Sequence, residues 1–173
     1  MEHILQFSDP APYPPVQVWG PDYRYARAML SNIGSCNSEM SAVSLYLYNS
    51  VITEGTLSEA SECFRKISMV EMRHLRIFSR LSFLLGGDPR LWSHAKKNLS
   101  YWSPGCNRYC GQIVRIIDAA IRGENQAIEK YRQQASWIKD PNIVDLLNRI
   151  ILDEEQHVRI FHQLYQNLEE GVG

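Results

Sequence analysis

Apolar residues along this chain recur at intervals of three and four, not two, so the pattern predicts helices and carries no strand signal of comparable strength. Four long helices are expected. The first runs from about Ser35 to Thr53, and the second starts from a capping box at Thr56 and Glu59 and ends at Gly86-Gly87-Asp88-Pro89. Gln112 to Ile138 forms the third; the fourth, capped by Asp140 with Pro141 at its first position, extends to about Leu168. A shorter helix from Asp22 to Ile33, ended by Gly34, precedes them. The links between long helices one and two and between three and four are short. The link between two and three, residues 88–111, is too long for a tight turn and reads as a crossover. The expected class is all-α: an antiparallel four-helix bundle over residues 22–170, preceded by an extended arm over 1–21 in which Pro10, Pro12, Pro14, Pro15 and Pro21 forbid helix.

Each helix carries one seam. The second places Leu57, Ala60, Phe64, Ile67, Glu71, His74, Phe78, Leu81 and Leu85 on one side. On the fourth the seam is Ile143, Leu147, Ile150, Glu154, His157, Phe161, Leu164 and Leu168. In the third, Ile117, Glu124 and Tyr131 repeat at seven, and Glu39 with Tyr46 does the same in the first. EMRHLRIF at 71–78 returns as EEQHVRIF at 154–161, and Glu39, Ala42, Val43 and Tyr46 superpose on Glu124, Ala127, Ile128 and Tyr131. The chain thus reads as two helical hairpins related by a pseudo-two-fold axis.

Acids on a buried seam need a counter-charge. Moving a carboxylate out of water costs several kcal/mol, so four together would rival the whole ~5 to 15 kcal/mol stability of a domain. Arg73, Arg76, Arg159 and Lys130 fall off the seam and are expected in solvent. A pair of divalent cations fits instead. Glu three residues before His puts carboxylate and imidazole on one helical face, and two such turns with a single Glu from each other helix give the ligand set Glu39, Glu71, His74, Glu124, Glu154 and His157. Hard oxygen donors with two imidazoles and no thiolate suit iron first, manganese second.

Through E39…E71-M-R-H74…E124…D153-E154-E-Q-H157, the chain resembles the ferritin-like superfamily over roughly residues 35–168, in its rubrerythrin, bacterioferritin and manganese-catalase branch. The resemblance implies that Glu71 and Glu154 bridge two metals and form the catalytic pair, that Glu39 and Glu124 are terminal ligands, and that His74 and His157 bind one ion each. It also implies that Asp153 orients His74. Val70 stands at the equivalent place in the second long helix, so His157 needs another partner, which the sequence does not name. There are departures: Ala127 replaces an additional rubrerythrin glutamate, no rubredoxin-type cysteines are present, and no fifth helix follows the bundle, which argues against a storage shell. The crossover aromatics Trp92, Tyr101, Trp102 and Tyr109 resemble those of manganese-catalase-like spore-coat proteins.

Composition narrows the partners. With 173 residues and a net charge of −1 spread along the chain, there is no basic stripe for nucleic acid, and no apolar run is long enough for a membrane span. A cytoplasmic protein is expected. Four scattered cysteines, Cys36, Cys63, Cys106 and Cys110, read as reduced thiols, with Cys106 and Cys110 the one pair close enough in sequence to be a redox couple. Tyr46 and Tyr131 are candidate donors to the ligands or radical sites, set against ordinary core packing. Met72 is either interface filler or, by the bacterioferritin resemblance, a haem ligand; His3, His94 and His162 read as surface residues. The expected function is a di-iron protein reducing peroxide or dioxygen with an external electron donor, in a rubrerythrin-like oxidative-stress role and as a homodimer. The alternatives are a manganese catalase or spore-coat-type protein, and an iron-binding protein with little turnover.

Overall fold

The computed structural model describes residues 6–95 and 98–171, and His3 lies outside them. Among the described residues five α-helices form: α1 (Tyr23–Gly34), α2 (Glu39–Thr53), α3 (Ser58–Leu84), α4 (Ile113–Trp137) and α5 (Pro141–Glu169). α2 pairs with α3 and α4 with α5, while α1 lies along α3. This is the expected bundle of two helical hairpins, with the crossover between α3 and α4.

The helix ends follow local chemistry. Asp22 caps α1 by accepting from the amides of Arg24 and Tyr25, and Asp140 caps α5 by accepting from that of Asn142, with Pro141 next. α3 closes with Gly86 at φ 86, where the Gly86 amide donates to Phe83 O and the Gly87 amide to Ser82 O, a two-bond C-cap that needs the left-handed region. Two expected starts are corrected. α2 begins at Glu39, not Ser35, because Ser35 and Ser38 adopt extended backbone. The capping box at Thr56 does not form: Leu57 occupies the cap position and makes no side-chain cap bond.

The crossover holds a short antiparallel ribbon that the periodicity did not announce, β1 (Trp92–Ala95) and β2 (Asn98–Tyr101), with Trp92 opposite Tyr101. Four residues per strand are too few for an alternating pattern to stand out, and β2 is exposed throughout. Gly34 allows the ribbon to seat: a Cβ there would lie 2.2 Å from the Trp92 backbone nitrogen. After a 3-10 turn at Pro104–Cys106, the chain enters α4.

The core divides in two. One apolar cluster gathers Met29, Ile33, Phe78, Leu81, Ile143 and Leu147; the other gathers Phe64, Ile67, Ile117, Phe161 and Leu164. The seam acids and histidines form a fully buried layer at the level between the two groups along α3 and α5. None of the described helices is long and apolar enough to cross a membrane.

Three further expectations change. Cys36 and Cys106 form a disulfide across a sequence separation of 70, so they are not reduced thiols and Cys106 is not paired with Cys110. Cys63 is free and buried, and Cys110 is free and half-buried. Lys130 does not extend into solvent: its Nζ donates to Ser31 O and Asn37 O, closing the carbonyl end of α1, and burial pushes its pKa down to about 8. His94 is half-buried against the Tyr23 hydroxyl, whereas His162 is exposed as expected. The arm is extended and docks on this chain's own bundle.

Candidate metal centre

All six expected ligands converge, each 2 % exposed or less. His74 Nδ1 lies 3.1 Å from Glu71 Oε2, 3.2 Å from Glu154 Oε1 and 3.8 Å from Glu39 Oε2. His157 Nδ1 lies 2.9 Å from Glu71 Oε1, 3.0 Å from Glu154 Oε2 and 3.7 Å from Glu124 Oε1. Glu71 and Glu154 therefore each turn one oxygen toward each histidine, while Glu39 and Glu124 each serve one. Two groups of potential ligands result, Glu39-Glu71-His74-Glu154 and Glu71-Glu124-Glu154-His157, each with its atoms within 4.8 Å of one another.

These residues fit a pair of cations. Two atoms adjacent on one ion, each roughly 2.1 Å from it, lie about 3 Å apart, which matches the spacing around both histidines. Glu71 Oε1, both Glu154 oxygens and His157 Nδ1 have no hydrogen-bond partner although they are sealed from water. Buried polar atoms are normally paired, and four orphans facing one another mark a place for a ligand.

Electrostatics agree. Burial and the neighbouring Glu71 push the Glu39 carboxyl up to about 7. Burial, with Glu71 and Glu154, raises Glu124 well above its ordinary range. Burial and Glu154 act in the same direction on Glu71, yet His157 and His74 outweigh them and hold it below that range. Both imidazoles sit well above their ordinary value: burial opposes their charge, but Glu154 around His74 and Glu71 around His157 dominate. The cluster thus draws positive charge strongly, as protons or as metal.

Beyond these six side chains, each tyrosine crosses to the other hairpin. Tyr46 of α2 donates to Glu124 Oε1 at 2.5 Å, and Tyr131 of α4 donates to Glu39 Oε1. They also pack, Tyr46 on Phe64 and Phe161 and Tyr131 on Phe78, so the two roles set against each other in the sequence coexist. His74 Nε2 lies 3.0 Å from Asp153 Oδ2, the contact the resemblance implies.

The partner of His157 comes from outside the bundle: its Nε2 donates to the backbone carbonyl of Phe7, at 2.9 Å, in the arm. With Nε2 carrying the proton, the Nδ1 lone pair is free to face the cluster. On the other side, Tyr13 hydrogen-bonds Asp153 and approaches His74 Nε2 at 3.1 Å, and the Asp9 amide donates to Asp153 Oδ1 at 2.7 Å. Arg149, buried in α5, pairs with Asp153 at 2.8 Å and donates to Ala11 O and Asp9 O, each at 2.7 Å. Arg149 and Arg73 both lie over the Tyr13 ring, at 4.1 and 3.8 Å, so Arg73, though exposed, is engaged. Burial raises the Asp153 pKa, but the bonds from His74 and Tyr13, the His74 charge and the bond from Arg149 hold it well below the carboxylate range. Sequence reading missed Tyr13, Asp9 and Arg149. Arg149 stands four residues before Asp153, a helical ion-pair spacing that could have signalled it; nothing in the sequence marks the arm contacts.

A cavity of about 510 Å³ between α2 and α4 reaches the four glutamates. Small residues open it, among them Ala42, Ala120, Gly123 and Ala127. Ala127 has no side chain beyond Cβ, and the volume this leaves free belongs to the cavity. Met72 is 51 % exposed and lies beside Met69 on the outer side of α3.

Comparison with known proteins bears on this arrangement. No curated protein matches the chain. Among solved structures, KatB, a manganese catalase from Anabaena PCC7120, superposes with a TM-score of 0.82 at 19 % identity, covering 95 % of this chain and 81 % of that one. Rhodobacter capsulatus bacterioferritin, solved with a metal-free dinuclear site and heme iron, superposes at 0.73 with 21 % identity over 89 % of this chain and 90 % of its own. Mycobacterium tuberculosis bacterioferritin BfrA gives 0.70 at 19 % identity, with 87 % and 89 % covered. The ferritin-like domain family matches residues 35–170, the stretch that contains all six converging side chains, and the chain belongs to that family.

Proposed function

We propose that this protein holds two iron ions in the carboxylate–imidazole cluster and reduces peroxide or dioxygen with electrons from an external donor. One observation carries the reading: Glu71 and Glu154 belong to both potential ligand groups, as residues bridging two ions must. When bound, such an ion pair supplies reversible two-electron redox chemistry toward small oxidants. Glu71 and Glu154 would hold both ions, and Glu39 with His74 and Glu124 with His157 would hold one ion each. The apolar clusters above and below exclude bulk water, while the cavity beside Ala127 admits a small oxidant. Tyr46 and Tyr131, bonded to Glu124 and Glu39, hold a proton at each terminal carboxylate. A cytoplasmic homodimer in an oxidative-stress role goes with this reading.

Metal analysis of protein purified from its own host should find about two irons per chain. Anaerobically reduced, iron-loaded protein given one equivalent of peroxide should develop a di-ferric absorption within seconds; metal-replete protein that stays colourless would sink the proposal.

A manganese reading has its own support, because the likeness to KatB spans 95 % of this chain, more than the bundle alone. Under it, peroxide would serve as both oxidant and reductant, and no donor would be needed. Oxygen evolution from peroxide by purified protein without reductant would select it.

A further inference from the structure

The cavity that reaches the glutamates has a covalent bond at its rim. Cys36 and Cys106, joined as a disulfide, line the same cavity as Glu39, Glu71, Glu124 and Glu154. Cys36 lies in the extended link between α1 and α2, three residues before Glu39, and Cys106 ends the 3-10 turn of the crossover. The first is exposed and the second half-buried, so a reductant in solution can reach the bond. Two neutral hydrogen bonds also tie this wall to α2: Trp102 Nε1 donates to Ser41 Oγ at 2.9 Å and Asn107 Nδ2 to Ser44 Oγ at 2.7 Å. Other sides of the cluster are closed. Phe7 and Tyr13 cover the outer nitrogens of the two histidines, and Phe78 on one side with Phe64 and Phe161 on the other fill the bundle.

We propose that Cys36 and Cys106 form a redox-active latch on the route into the cluster, opened by a dithiol reductant, and that its state sets how fast cations enter and leave. The proposal rests on the metal reading of the site. With the bond intact, residues 104–108 are held against the start of α2. Once it is broken, the wall depends on hydrogen bonds for which water competes, and it opens more often. In the opening step a thiolate of the reductant attacks one cysteine sulfur, and the other leaves as a thiolate and takes up a proton. The reductant's second thiol then displaces the first cysteine and closes its own disulfide, so two electrons and two protons arrive on the pair. The other cysteines do not share the role: Cys63 is buried, with its thiol pushed up to about 12, and Cys110 stays free.

The test uses the full chain loaded with Mn2+, either oxidised or treated with dithiothreitol and freed of it anaerobically. Thiol titration after denaturation should rise from two per chain to the full four cysteines on native treatment. Loss of Mn2+ to ethylenediaminetetraacetate should accelerate roughly tenfold on reduction, as expected for a route limited by local opening. C36S/C106S should release at the fast rate whether or not it has met the dithiol. In metal-free protein, tryptic cleavage after the exposed Arg108 should quicken on reduction in the wild type only. Equal Mn2+ release rates in the two states, or a pair that resists reduction in the native protein, would overturn the latch. If oxidised protein retains neither Mn2+ nor, anaerobically, Fe2+, the metal reading fails and control of cation passage fails with it. The Arg108 result then separates the two losses, since unchanged cleavage shows that the bond does not restrain the wall either.

Discussion

His74 and His157 hold equivalent places in the two hairpins, but what stands behind them differs. On the side facing the cluster they are nearly interchangeable, each with its Nδ1 among the same two glutamates and one of its own. On the far side, His74 meets an aspartate already bound by an arginine and a tyrosine, whereas His157 has a single backbone carbonyl. The duplicated sequence accounts for the symmetric half. The asymmetric half arises because one unduplicated arm must serve both histidines, and it reaches them through different groups.

The largest way to break this comparison is to undock the arm. Arg149→Ala removes the charge that pairs with Asp153 and the donors to Asp9 O and Ala11 O, so denaturant unfolding should show a loss of about 3 to 5 kcal/mol, as for other broken buried pairs. Next comes Asp153→Asn, which weakens the support of His74 alone. Stepwise metal titration should then resolve one site weakened by roughly 10- to 100-fold and one unchanged. If both sites weaken equally, the two histidines are not supported separately. Deleting residues up to Phe7 should give the opposite pattern with a smaller loss, on the order of threefold to tenfold at the His157 site, because water can replace a backbone carbonyl.

The smallest effect sharpens the electrostatic side. Asp153 is ionised in the folded protein well below the pH at which a free carboxylate takes a proton. A depressed folded pKa contributes stability in full above the unfolded value of roughly 3.9, and that contribution is lost as pH falls through and below it. The stability gap between wild type and Asp153→Asn should therefore shrink as pH falls from about 5 toward 3. A gap that shrinks between pH 8 and pH 6 would assign the effect to another group.

The bundle and its six inward residues were legible because helical period alone decides which side chains share a face, and a buried acid at a seam position is conspicuous. Glu71 with His74 and Glu154 with His157 needed no tertiary information beyond the seam. The second rank was not legible in the same way. Phe7 acts through its backbone, which any residue would supply, and Tyr13 reaches His74 across a sequence separation of 61. Cys36 and Cys106 become partners only because the crossover returns over the start of α2. The short ribbon at 92–101 was hidden for a different reason, since two strands of four residues offer too few alternations to outweigh a coil reading.

The docking of the arm also bears on how the protein is made. Its residues leave the ribosome before those of the bundle, yet Asp153, which the Asp9 amide must meet, lies 144 positions later. At synthesis rates of about 5–20 residues per second, the arm waits some seconds to tens of seconds without its resting place. Pro10, Pro12, Pro14 and Pro15 keep it extended meanwhile, unable to coil into a helix and already close to the shape in which it will finally lie down.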